Sequence, residues 1–292
     1  MSFAKADTLK QLRSLLILGR VSNLPTVWSN CAAGWLLSGG GTSALQFLLL
    51  CFGSACLYIG GMFLNDAFDA DFDRQHRKER PIPSGSIRSE LVWLWGSSWL
   101  LAGILSLSIL GPTTAILSCL LTGSIVLYDA VHKIFALSPV LMAFCRFLLY
   151  LVAASAGHDG VTGLAVWSAL VLGAYVIGLS YLARKESILG PLRYWPSSLL
   201  AAPIFLALLV NDGPYRMRGL LLSTLLAIWI IRCLRFTFGG ADRNIGLTVS
   251  GLLAGIVLVD LLAVADVSPL LVVVFVLLFV CALLAQRYIP AT

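Results

Sequence analysis

Charge is what this sequence has least of. Only 12% of its 292 residues are Asp, Glu, Lys or Arg, and only 14 of them are acidic. A soluble globular domain carries about 25% charged residues, so that class is excluded. Histidine occurs three times. The seven cysteines (Cys31, Cys51, Cys56, Cys119, Cys145, Cys233 and Cys281) form no CxxC pair, and all lie in apolar stretches. They read as small hydrophobes, which removes a disulfide framework and a zinc site from consideration. Period-2 alternation is missing, which leaves a helical bundle rather than a barrel as the way to satisfy the backbone in lipid.

What is abundant is apolar surface. Hydrophobic residues make up 59% of the chain, and the mean hydropathy is +0.93. A span of the bilayer core needs about 20 apolar residues. Ten segments qualify or nearly so: 22–39, 44–65, 90–110, 112–128, 138–156, 163–183, 196–211, 217–236, 246–264 and 267–286. Segments 112–128 and 196–211 are short. The expectation is an all-α polytopic membrane protein of nine or ten transmembrane helices, one domain over residues 1–292. Residues 1–20 carry four cations, and the apolar run after them lacks a small-residue cleavage site, so no cleavable leader is expected.

Charge orients the bundle. With both termini on one side, that side and its flanking helix ends hold 17 of the 20 Lys and Arg. The positive-inside rule places it in the cytoplasm, with the loops 66–89, 129–137 and 184–195. The net charge of +6 reads as topology, and nothing in its distribution suggests nucleic-acid binding. The expected address is a bacterial plasma membrane.

Against this scarcity, four of the aspartates fall within eight residues: Asp66, Asp69, Asp71 and Asp73. On a helix, Asp66, Asp69 and Asp73 share one face, and Asn65 sits one turn before Asp69. Asp71 points away and reads as a solvated charge. Three converging carboxylates repel one another and stay ionised only beside a cation. Hard oxygen ligands at this spacing suit Mg²⁺, which takes one or two protein carboxylates plus substrate phosphates. A basic stretch follows (Arg74, Arg77, Lys78 and Arg80). Metal flanked by cations is a way to receive a diphosphate. The bland alternative is a helix end opening into a solvated charged loop.

Asn65-Asp66-x-x-Asp69-x-x-x-Asp73 resembles the NDxxDxxxD motif of the UbiA superfamily of intramembrane prenyltransferases. Arg80-Pro81-Ile82-Pro83-Ser84-Gly85 resembles the RP(I/L)PSG that follows it there. The resemblance implies a bundle around a central, lipid-open cavity. It also implies Mg²⁺-dependent transfer of an isoprenyl group from an isoprenyl diphosphate to a lipid-soluble acceptor, apolar or aromatic. Asp66, Asp69 and Asp73 would hold the metal, and Asn65, Arg20 and Arg80 would contact the diphosphate. Lys133 either joins them or is an interfacial lysine that snorkels.

The chain departs from the family at the end of the sixth span, where a second motif, DxxxD, is usual. Here the segment reads Tyr175 to Ser187 with one acid, Glu186. Either Arg184 and Lys185 replace the second metal, with Glu186 a residual ligand, or catalysis is lost and the protein binds or helps move a polyprenyl lipid or secondary metabolite. SYLARKES followed by Arg193-Tyr194-Trp195-Pro196 resembles an atypical bacterial branch, the EboC-like proteins. Outside the motif, Arg146 lies in mid-span and Asp260 inside the ninth segment. They either pair or face the cavity. Asn30 is expected to bond a neighbouring helix. Trp28, Tyr175 and Tyr181 either stabilise an allyl cation or anchor the interface.

Overall fold

Apolar runs punctuated by proline and small polar residues become helices that start where those residues stand. Proline occupies the first turn of five of them, at Pro25, Pro112, Pro139, Pro203 and Pro269, where no intrahelical N–H is needed. Side-chain caps start three others. Ser43 accepts from the amide of Gln46, Thr162 from that of Ala165, and Asn244 from that of Leu247.

The computed structural model describes residues 12–41, 43–187, 194–211, 213–239 and 243–290, with only the backbone described at 186, 187 and 214. Its helices are α1 Leu24–Leu36, α2 Ala44–Phe68, α3 Ala70–His76, α4 Ser89–Ser108, α5 Pro112–Val131 and α6 Ser138–Ser155. They continue as α7 Gly163–Ser187, α8 Ala202–Val210, α9 Arg216–Phe238, α10 Ile245–Ala263 and α11 Pro269–Tyr288. The described residues include eight helices long and apolar enough to cross a membrane: α2, α4, α5, α6, α7, α9, α10 and α11. All ten apolar segments form helix. The first and seventh form shorter ones: α1 has 13 residues, and segment 196–211 splits into a 3₁₀ stretch, Trp195–Ala201, and α8.

Two large apolar cores build most of the bundle, and a smaller one, with Phe63, Ala67, Ile82 and Val92, packs the motif's end of α2. Of the large ones, one gathers Val27, Leu50, Leu57, Leu100, Leu121 and Leu149 from α1, α2, α4, α5 and α6. The other gathers Leu172, Tyr175, Leu226, Leu252 and Val257 from α7, α9 and α10, with Tyr150 of α6. Among long helices, α11 keeps the largest share of its surface outside the protein. Its outward residues, such as Leu270, Val273 and Leu277, are apolar because lipid is their solvent.

Helices α2 and α4 cross closely at two glycine pairs. A Cβ on Gly60 would stand 2.9 Å from the carbonyl oxygen of Gly96, and one on Gly103 would stand 2.9 Å from that of Gly53. Close backbone approach through small residues is how helices associate without a hydrophobic drive between them. This crossing holds the end of α2, and with it the aspartate motif, against the loop before α4.

Candidate active site

The motif sits where α2 ends. Helical hydrogen bonding continues through the junction, from the Asp69 amide to the Asn65 carbonyl at 3.0 Å and from the Asp73 amide to the Asp69 carbonyl at 2.9 Å. Asn65, Asp66, Asp69 and Asp73 therefore occupy successive turns, and all four are buried. Asp71 points out, with 91% of its side chain exposed, and pairs with Arg74.

Each buried carboxylate meets a different environment. Asp66 accepts from Arg80 at 2.9 Å and faces Arg20 at 3.6 Å. Arg20 also donates to the Asn65 carbonyl oxygen at 3.3 Å. Its backbone has φ 41°, ψ 46°, a left-handed conformation that costs a non-glycine residue of order 1–2 kcal/mol. That turn brings the guanidinium to the motif. Asp69 accepts from Lys133 at 3.1 Å and lies 3.4 Å from His132 Nε2. Burial pushes the Asp69 carboxyl up, but His132 and Lys133 outweigh it and hold the group below its ordinary range. Asp73 goes the other way. Burial raises it, Arg80 offsets only part of that, and neighbouring Asp69 adds to the rise. Arg80 is shifted down by burial and then by the repulsion of Arg20.

Most of these side chains line one end of a cavity of about 750 Å³, with Asp66 and Asp73 set behind that lining. Its polar mouth includes Arg20, Asn65, Asp69, Arg80, His132 and Lys133. Its deeper wall is mostly apolar, with Leu57, Ile125, Leu149, Leu179 and Ile256. A charged mouth leading to an apolar bore fits an amphiphile with a multiply charged head and a hydrocarbon tail.

Among the described residues, no three His, Cys, Asp or Glu side chains form a ready metal cage. Of the three described buried carboxylate oxygens with no hydrogen-bond partner, two belong to this end of the bundle, Asp73 Oδ1 and Asp129 Oδ2, and the third is Asp260 Oδ1. Mg²⁺ needs only one or two protein carboxylates when phosphate oxygens and water complete its shell. The donor set fits it on that basis.

The structure places the other expected residues unevenly. Lys133 is at the site, over the Phe72 ring at 3.7 Å as well as on Asp69. Arg184 lines the cavity, but its Nη1 donates to the carbonyls of Phe135 and Ala136, each at 2.8 Å. That one nitrogen of the guanidinium holds a turn. Lys185 does not line the cavity, and its ammonium stands 6.0 Å from the Tyr181 ring, because the next residue along α7 is turned about 100° from Arg184. The side chain of Glu186 lies outside the described residues. Tyr175 donates to the Leu252 carbonyl at 2.8 Å and belongs to the core. Tyr58 and Tyr128 are the tyrosines on the cavity wall.

Sequence reasoning passed over two site residues. His132 reaches Asp69. Asp129, in the last turn of α5, accepts from the Asn65 amide nitrogen at 3.0 Å. An acid inside an apolar helix was the available signal. Arg146 and Asp260 do not pair directly. Arg146 donates to Asn30 Oδ1 at 2.8 Å, and Asn30 donates to Asp260 at 2.7 Å. Asn30 thus joins α6 to α10 across α1, as its packing reading required, and Arg146 also lines the cavity.

Comparison with known proteins fits this geometry. Residues 24–188 match the UbiA prenyltransferase family. Digeranylgeranylglyceryl phosphate synthase of Methanothrix thermoacetophila is 30% identical over 118 residues, a stretch that covers 40% of this chain and 44% of that protein. The apo structure of a UbiA homologue from Aeropyrum pernix K1 superposes with a TM-score of 0.68 at 17% identity, over 86% of this chain and 98% of the other. A UbiA homologue from Archaeoglobus fulgidus, solved with GPP and Mg²⁺, gives 0.51 at 16% identity, over 94% and 97%. The match extends over more than half the sequence and begins before the motif and its basic loop. The chain belongs to the UbiA prenyltransferase family.

Proposed function

We propose that this protein transfers an isoprenyl group from an isoprenyl diphosphate to a lipid-soluble acceptor, within the membrane and with Mg²⁺. The observation that carries the reading is the cavity, which has cations and buried carboxylates at its mouth and apolar side chains along its depth. The Archaeoglobus fulgidus homologue's complex with GPP and Mg²⁺ supports it at the level of the family.

In this reading Asp66, Asp69 and Asp73 hold Mg²⁺, which when bound withdraws charge from the leaving diphosphate. Arg20, Arg80, Lys133 and Asn65 grip the diphosphate oxygens. Arg80 and Lys133 sit on Asp66 and Asp69, so they would turn from these carboxylates to the diphosphate when it binds. Charge-assisted bonds that strengthen as negative charge develops favour the departing group over the bound ester. The C–O bond breaks, the electron pair leaves with diphosphate, and the allylic cation stays in the apolar bore. There the Tyr58 ring faces it and water is scarce. The acceptor supplies the electron pair that forms the new bond and loses a proton. Arg184 serves by fixing the turn that carries Lys133. The excess of Lys and Arg on the motif side supports a cytoplasmic mouth. The segment SYLARKES supports placement in the EboC-like branch.

The test is Mg²⁺-dependent release of diphosphate from geranyl, farnesyl and geranylgeranyl diphosphates by the purified protein, with Asp69→Ala as control. Release abolished in the control supports transfer. Binding of all three without release would sink it in favour of a non-catalytic polyprenyl-lipid binder.

A further inference from the structure

The family's second acidic motif is missing from α7. Between Tyr175 and Lys185 the sequence holds no Asp or Glu, and the one cation there that lines the cavity, Arg184, gives its Nη1 to backbone carbonyls. Beyond the first motif two carboxylates line the cavity, the exposed Glu79 before α4 and, from α5, Asp129. Asp129 is only 3% exposed. Its Oδ1 accepts from Asn65, the first residue of the motif, at 3.0 Å. Its Oδ2 is buried with no partner.

A carboxylate in that position costs free energy unless something compensates it. Among the described residues no Lys or Arg forms an ion pair with Asp129, whereas Asp66 and Asp69 each have at least one. Asn65 is bonded on both sides, by Arg20 at its carbonyl oxygen and to Asp129 through its nitrogen. Both its amide functions are used, so its orientation is fixed and Asp129 is held beside the motif. A carboxylate with one oxygen tied and one free, facing a diphosphate cavity, has the form of a monodentate ligand to a hard cation.

Resting on the prenyl-transfer reading above, we propose that Asp129 is a metal ligand of this site and supplies, from α5, a carboxylate in place of the second acidic motif. Asp129 Oδ2 would then hold the divalent cation together with the α2 motif.

Mn²⁺ in place of Mg²⁺ gives a readout independent of turnover. Free Mn²⁺ is counted by electron paramagnetic resonance during titration of the full-length protein in detergent, with and without geranyl diphosphate. Asp129→Asn keeps an oxygen acceptor for Asn65 and removes the charge. Asp129→Ala removes both. The expectation is that in the presence of geranyl diphosphate the Asn and Ala variants both bind Mn²⁺ on the order of tenfold more weakly than wild type, or worse. Wild-type affinity in Asp129→Asn, with loss confined to Asp129→Ala, would overturn the inference and leave Asp129 as a support for Asn65. Asp129→Glu and Asp129→Gln repeat the comparison on a longer stem, so a folding defect in one variant does not decide the matter. Wild-type protein that takes up Mn²⁺ with geranyl diphosphate but releases no diphosphate would count against the transfer reading alone. Wild-type protein that takes up no Mn²⁺ would sink both.

Discussion

Replacing Arg184 by alanine separates two roles that sequence alone cannot tell apart. Read from sequence, the Arg184-Lys185 pair contacts the diphosphate, so either loss weakens binding and neither affects the fold. In the structure Arg184 ties the end of α7 to the turn between α5 and α6. It bonds to the carbonyls of Phe135 and Ala136 at 2.8 Å and to Ser138 Oγ at 3.2 Å. Bonds from a charged donor contribute about 1.5–3 kcal/mol each when buried. These are partly solvated and share one nitrogen, so a total of roughly 2–3 kcal/mol is the reasonable scale. That corresponds to a fall in Tm of roughly 4–10 °C for a domain of this size, on the soluble-protein scale. His132 and Lys133 open that turn, so loosening it also weakens their hold on Asp69 and lowers diphosphate affinity. The assay pairs thermal unfolding in detergent with equilibrium binding of geranyl diphosphate, for Arg184→Ala and Lys185→Ala. Arg184→Ala should lose both stability and affinity, and Lys185→Ala should lose neither. Weakened binding in Arg184→Ala at unchanged Tm would refute the argument, as would a large binding defect in Lys185→Ala.

Other expectations follow from particular contacts. Gly60→Leu drives a side chain into the Gly96 carbonyl and Leu100, so α2 and α4 cannot keep their crossing. The variant should lose the monodisperse peak on size-exclusion chromatography. Asp71→Ala removes an exposed pair worth at most about 1 kcal/mol, and both Tm and diphosphate release should stay near wild type. Asp69 has a depressed folded-state pKa, so its contribution to stability is complete above the unfolded value of about 4 and is lost as pH falls through the folded one. A Tm profile across acid pH should therefore be shallower in Asp69→Asn than in wild type, and equal slopes would count against the pairing. Asp260→Asn keeps an acceptor for Ser29 and Asn30 but leaves Arg146 without its nearest buried counter-charge. A drop in Tm is expected, with geranyl diphosphate binding retained.

The chain's own chemistry settled the class, the helix positions and the motif. Apolar runs of span length have one economical solution in lipid. Four aspartates in a chain so poor in charge mark their own importance, and helical spacing alone puts Asn65, Asp66, Asp69 and Asp73 on successive turns. What spacing could not supply were contacts between distant segments. Asn65 meets Asp129 across 64 residues, and Asn30 meets Asp260 across 230. Arg184 faces a carbonyl pair contributed by a turn 48 and 49 residues earlier. A cation's role depends on which oxygens reach it first, and those were fixed by helix packing. The same holds for Lys185, removed from the cavity by one helical step, and for Asp129, which in one dimension is an acid at the end of a span. Local sequence fixes periodicity and turn chemistry because both act within a few residues. Only tertiary structure decides which buried charges find partners and which are left for a ligand.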